Sequence, residues 1–142
     1  MSEKISNIPE LIDKAFEMRA FSYAPYSHFK VGAALLSKNG NIYGGCNIEN
    51  AAYGPSNCAE RTAFFKAVSE GEREFKAIAI AGGPEDATEF DYCAPCGVCR
   101  QVMAEFCNPD DFIIILPRSK EDYKTYTLRE LFPEGFSPEN LK

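Results

Sequence analysis

Cys96-Gly97-Val98-Cys99 sets two thiols three residues apart, a spacing that places both on one helix face and lets them ligate a single metal ion. A redox dithiol uses the same spacing, and a buried cysteine also behaves as a small hydrophobe, so the pair alone leaves metal, redox and packing readings open. Cys58-Ala59-Glu60 adds a third thiol, followed two residues later by a carboxylate. Ala63, Phe64, Ala67 and Val68 then recur at helical spacing and stop before Gly71, so Cys58 stands at a helix start. There the helix dipole and free N–H groups favour a thiolate. Three thiolates on zinc leave the fourth tetrahedral position to water, the arrangement of a catalytic ion; a structural ion needs a fourth protein ligand.

Cys93 is the candidate for that fourth ligand, since Cys93, Cys96 and Cys99 follow at equal intervals and suit a four-cysteine zinc site or an iron–sulfur cluster. A ferredoxin run would continue with cysteine and proline where this chain has Met103 and Ala104. Cys93 is therefore read as a packed or exposed free thiol, and Cys46 and Cys107 as core or loop cysteines. Glu60 on an isolated helix would be a solvated charge. Beside a zinc ligand it can reach the metal's water without binding the metal; zinc lowers that water's pKa toward ~7, and the carboxylate can take its proton and pass it on.

These residues need elements to hold them. Asn7 and Pro9 provide a cap and a first-turn proline for a helix carrying Leu11, Ile12, Ala15, Phe16 and Met18. After a break at Ala24-Pro25-Tyr26-Ser27, residues 31–36 and 42–46 flank Lys38-Asn39-Gly40-Asn41, which predicts an antiparallel hairpin. The Cys58 helix follows, then a strand over 75–81 and a long loop beginning at Gly82-Gly83-Pro84. Pro95 precedes a helix whose first turn holds Cys96 and Cys99 and which runs through Met103 and Phe106. Strands over 112–116 and 123–127 and a short helix over 128–131 complete the chain. This order predicts an α/β fold of three layers, helix, sheet and helix, around a mixed five-stranded sheet.

At 142 residues the chain suits one domain, expected to span 1–142. Hydrophobic residues at 45% and charged residues at 25% belong to a globular protein and exclude disorder. A net charge of -6 with no dense Lys/Arg run argues against a nucleic-acid polymer as partner. No apolar run is long enough for a leader or a membrane span, so a cytoplasmic protein is expected. In a reducing compartment, close spacings among the six cysteines point to metal or catalysis before disulfides.

Taken in order, Asn47-Ile48-Glu49-Asn50, Cys58-Ala59-Glu60 and Pro95-Cys96-Gly97-Val98-Cys99 closely resemble the cytidine deaminase family in its small, homotetrameric, three-cysteine form, from about Ala24 to Phe136. The resemblance implies the cytidine deaminase-like fold, one zinc per subunit, and active sites at subunit interfaces. It implies hydrolytic loss of the amino group from cytidine or deoxycytidine as ammonia, in pyrimidine salvage, with Glu60 serving as base and then as acid. Where larger relatives carry His-x-Glu, this chain has Cys58-x-Glu60; Arg61 matches the arginine that offsets the extra thiolate charge. Asn47 and Glu49, at i and i+2 on an extended segment, point one way and match the residues that hold the ribose. Phe29 matches a phenylalanine packed on the substrate, and Phe136 one donated by a neighbouring subunit. Tyr53 falls at an interface position, and the Ala59 backbone is expected to bond the base. His28 receives no role. Three other readings remain: a deaminase of a cytosine nucleoside antibiotic, a deaminase of polynucleotides, which charge and short loops disfavour, and a structural-zinc interaction module closed by Cys93.

Overall fold

Alternation along β1 (Phe29–Ser37) sends Ala33 and Leu35 to one side of a sheet and Ala34 and Leu36 to the other, and all four are buried. A sheet with two buried faces must be covered twice. The computed structural model, which describes residues 5–142, shows how. Five strands lie in the order β2 (Ile42–Cys46), β1, β3 (Phe75–Pro84), β4 (Ile113–Pro117) and β5 (Tyr123–Thr127). β3 and β4 run parallel and every other neighbouring pair is antiparallel, so the expected mixed sheet is present.

Helix α1 (Ile8–Met18) covers one face, where Leu11, Ile12 and Ala15 meet Ala34, Leu36, Ala77, Ala79, Ala81 and Ile115. Alanines on that face let the helix approach closely. The opposite face carries α2 (Ala59–Ser69), α3 (Gly97–Phe106) and α4 (Leu128–Leu131) over Leu35, Ile78, Ile80, Ile114 and Leu116. Phe64 anchors this layer among the rings of Phe75, Phe106 and Phe112, and its full burial contributes on the order of 2–3 kcal/mol. Among the described residues no helix is long and apolar enough to cross a membrane.

Two local expectations need correction. Asn7 makes no side-chain cap bond; only its carbonyl serves, accepting from Leu11 N–H at 3.1 Å. The second concerns Gly82-Gly83-Pro84, which continues β3 rather than opening a loop and pairs with Val31, Lys30 and Phe29. The loop beyond folds back over these glycines: a Cβ built at Gly82 would lie 2.7 Å from Cys93 Sγ, and one at Gly83 2.8 Å from the Phe90 ring. Arg19 secures the same end by donating to the carbonyls of Lys30, Gly83 and Pro84.

One close approach positions the chemistry. A Cβ at Gly45 of β2 would lie 2.4 Å from Ala59 O and 2.6 Å from Ala63 N, so the first turn of α2 rests directly on bare strand backbone. Gly71, with φ of 101°, ends that helix as expected and bonds back to Val68 O.

Candidate active site

The helices α2 and α3 begin side by side. Cys58 is the N-cap of α2 and Cys96 the N-cap of α3, both with extended backbone, and Cys96 Sγ accepts a hydrogen bond from Cys99 N–H at 3.4 Å. Cys96 thus stands just outside its helix and its sulfur takes the place of a Ser or Asp cap oxygen, whereas Cys99 lies in the first turn. The sulfurs of Cys58, Cys96 and Cys99 all lie within 4.8 Å of one another, and Cys58 and Cys96 are 3.7 Å apart. A tetrahedral zinc with Zn–S of ~2.3 Å requires sulfur pairs ~3.8 Å apart, so the donor set fits that ion. Cys93 lies outside the group, with its sulfur over Gly82. A closed four-cysteine site is not formed.

Charge in the cluster is distributed unequally. Cys58 is pushed down to about 5, first by a hydrogen bond from the Cys99 thiol and then by Arg61, whose Nη2 donates to its sulfur at 3.3 Å. Cys99 is pushed up because it donates to Cys58 and is buried. Arg61 is raised in turn by the bond to Cys58, so the expected pairing of arginine with thiolate is present. Among the described residues, Arg61 Nε is the buried side-chain nitrogen that finds no hydrogen-bond partner. Glu60 is only 4% exposed. Burial, reinforced by the negative Cys58, pushes its carboxyl up to about 7, while a hydrogen bond with Cys99 pulls the other way. A cation among the thiolates would oppose the upward shift. Burial raises the Cys93 thiol to about 11. Cys46 and Cys107 are buried and raised for the same reason.

The residues expected to hold a sugar face one stretch of chain. Asn47 Oδ1 accepts from Val31 N–H at 2.9 Å and its Nδ2 donates to Phe29 O at 2.8 Å, where β1 has run past the end of β2. Its side-chain amide imitates the next peptide of a longer β2, and one N–H remains unspent. Glu49 Oε1 accepts from Tyr26 N–H and Ser27 N–H, both at 3.1 Å, and Oε2 accepts from Ser27 Oγ. These bonds hold its carboxyl below the usual carboxylate range, the Ser27 hydroxyl foremost. Both side chains therefore turn toward 26–31, as their spacing predicts. Spacing did not reveal Ser27; the signal available was a serine two residues before Phe29 in a Pro-containing break, a common place for a hydroxyl-stabilised turn.

Tyr26, Ser27, Glu49, Tyr53 and Ser56 line an open cavity of about 340 Å³. Ala59 is the first residue of α2, where a backbone N–H has no acceptor within the helix. The rings of the aromatic candidates are open to solvent. Phe29 is 40% exposed, Phe136 57% and Tyr53 73%. Tyr53, held at a φ of 62°, meets the ring of Tyr26 edge-on. Phe136 lies in the C-terminal tail, its carbonyl accepting from Gln101 Nε2 at 2.7 Å.

Comparison with known proteins agrees with this geometry. Residues 5–115 match the family described as the cytidine and deoxycytidylate deaminase zinc-binding region. The chain is 50% identical over 135 residues to a cytidine deaminase of Sporosarcina psychrophila, covering 95% of each chain. It is 48% identical over 131 residues to one of Halalkalibacterium halodurans, covering 92% of this chain and 95% of that one. Among solved structures, cytidine deaminase from Burkholderia pseudomallei superposes with a TM-score of 0.80 at 45% identity, over 89% of this chain and 97% of that one. The Mycobacterium tuberculosis enzyme gives 0.79 at 32% identity, over 93% and 98%.

Proposed function

Because the chain belongs to the cytidine and deoxycytidylate deaminase family, we infer that it removes the amino group of cytidine by zinc-dependent hydrolysis, releasing ammonia and leaving uridine. The observation that carries the reading is the convergence of Cys58, Cys96 and Cys99 at two helix starts with the buried Glu60 beside them. We extend it to deoxycytidine, whose base is the same. Cys58, Cys96 and Cys99 would hold one zinc per chain, and zinc supplies a water whose pKa falls toward ~7.

The remaining work belongs to the protein's own side chains. Glu60 takes one proton from the attacking water and delivers it to the ring nitrogen beside the amino-bearing carbon. It then takes the second from the hydroxyl now on that carbon and passes it to the departing amine, which leaves as ammonia while the carbonyl forms. Burial suits this, since a carboxyl held away from solvent can keep a proton at neutral pH and give it up to a partner. Arg61 offsets the charge of three thiolates that would otherwise weaken the ion's pull on water. The Ala59 N–H holds the base, the spare Asn47 N–H and the Glu49 carboxylate hold the sugar hydroxyls, and Phe29 packs on the substrate. The site is completed in a homotetramer, with Tyr53 at an interface and Phe136 entering a neighbour's site. Their exposure in the single chain supports that assembly.

The test is the loss of the cytidine ultraviolet chromophore in the presence of purified protein. Chelation is expected to stop the reaction and added zinc to restore it. Deamination unaffected by complete removal of zinc would contradict the reading.

A further inference from the structure

We propose that Ser27 is a positioning residue for substrate binding: its hydroxyl fixes the Glu49 carboxylate in the orientation that receives the sugar. The proposal rests on the reading of Glu49 as a ribose ligand and deepens it.

Glu49 is a half-buried carboxylate lining an open cavity, and a side chain so placed ordinarily samples several rotamers. Here it is clasped. Oε1 spends both acceptor positions on the Tyr26 and Ser27 N–H groups, each at 3.1 Å, and Oε2 spends one on the Ser27 hydroxyl. Of roughly four lone-pair positions on a carboxylate, one then remains, on Oε2. A ligand hydroxyl can donate to Glu49 at one place only, and Ser27 determines where that place points.

The clasp is tied to the rest of the site. Ser27 Oγ also accepts from Phe29 N–H at 3.1 Å, so a single hydroxyl links the Glu49 carboxylate to the backbone of the aromatic expected to pack on the substrate. On the other side of Phe29, its carbonyl is held by Asn47 Nδ2 at 2.8 Å. Asn47, Phe29, Ser27 and Glu49 thus form one hydrogen-bonded chain. Within it Ser27 is the only member expected to contact nothing on the substrate, and the only one whose side chain reaches Glu49. Ser27→Ala deletes the rotational lock and leaves both N–H donors, so Glu49 keeps its charge and loses its aim.

An interaction made equally in ground and transition state changes KM and spares kcat. With zinc content and melting temperature checked, Ser27→Ala is expected to raise KM for cytidine roughly tenfold, the size of one charge-assisted hydrogen bond misdirected. Turnover stays within about twofold of wild type. Ser27→Thr, which keeps the hydroxyl, restores KM, and Ser27→Cys, a weaker donor, falls between them. The decisive substrate is 2′,3′-dideoxycytidine, which offers no ring hydroxyl to Glu49. Wild type, Ser27→Ala and Glu49→Gln should then give similar kcat/KM on it while differing on cytidine. An equal loss for Ser27→Ala on both substrates, or none on cytidine while Glu49→Gln discriminates, overturns the role of Ser27. A Glu49→Gln protein that fails to distinguish the two substrates refutes the sugar-binding reading itself, and Ser27 then has nothing to position.

Discussion

Replacing Gly45 with alanine is expected to damage catalysis from beneath the site without touching a ligand. A Cβ there would stand 2.4 Å from Ala59 O and 2.6 Å from Ala63 N, while ordinary contacts begin at 3.4 Å. Both obstructing atoms are helix backbone and cannot swing aside as a side-chain tip could. The start of α2 must therefore retreat by about 1 Å, carrying Cys58 and Glu60 with it. Overpacking of this kind costs roughly 1–3 kcal/mol, which for a chain of this size lowers the melting temperature by roughly 3–10 °C. A displacement of about 1 Å at a proton-transferring group is enough to lower turnover by ~10²-fold. Thermal unfolding and kcat on cytidine, measured on Gly45→Ala matched to wild type in zinc content, check both numbers. Wild-type melting together with wild-type turnover would refute the argument that α2 is seated on that glycine.

Other perturbations separate the remaining assignments. Cys93→Ala is expected to retain one zinc per chain by elemental analysis, because Cys93 lies outside the sulfur cluster; loss of the metal would restore the four-ligand reading. Phe136→Ala is expected to raise KM, and, on the proposed homotetramer, mixing it with Glu60→Gln subunits should recover a fraction of sites with wild-type KM, since the Glu60→Gln chain brings Phe136 to a site whose own chain brings Glu60. Hybrids with no such sites would place Phe136 in its own chain's site or in none.

Much of the fold was legible because its signals are local. The Lys38-Asn39-Gly40-Asn41 turn between apolar runs predicted the hairpin, and Gly71 the end of α2. Cys96 and Cys99 were legible as a pair for the same reason, a short spacing at a helix start, while Cys58, 38 positions before Cys96, joins them through the packing of α2 beside α3. What spacing could not show depends on distant partners. Gly82-Gly83-Pro84 has the composition of a loop, yet it is a strand because Phe29 to Val31 needs a neighbour and because Cys93 and Phe90 cover the bare glycines. Glu60 has the composition of a surface residue, and only the packing of α2 against β2 and α3 shows it buried. Asn47 reads as a ribose ligand, but two of its bonds brace β1, and Glu49 proves to be clasped by a serine more than twenty positions earlier. In each case local preference was overridden by a contact that no window of sequence contains.

Zinc held by three cysteines is expected to work through one buried carboxylate. Glu60→Gln tests it most directly, with zinc content and cytidine turnover measured on the same preparation. The replacement keeps size and shape and removes the capacity to move a proton. The expected result is one zinc per chain, unaltered melting, and turnover lowered by ~10²–10⁴-fold. A zinc-loaded Glu60→Gln protein that deaminates cytidine at near wild-type rate would contradict it.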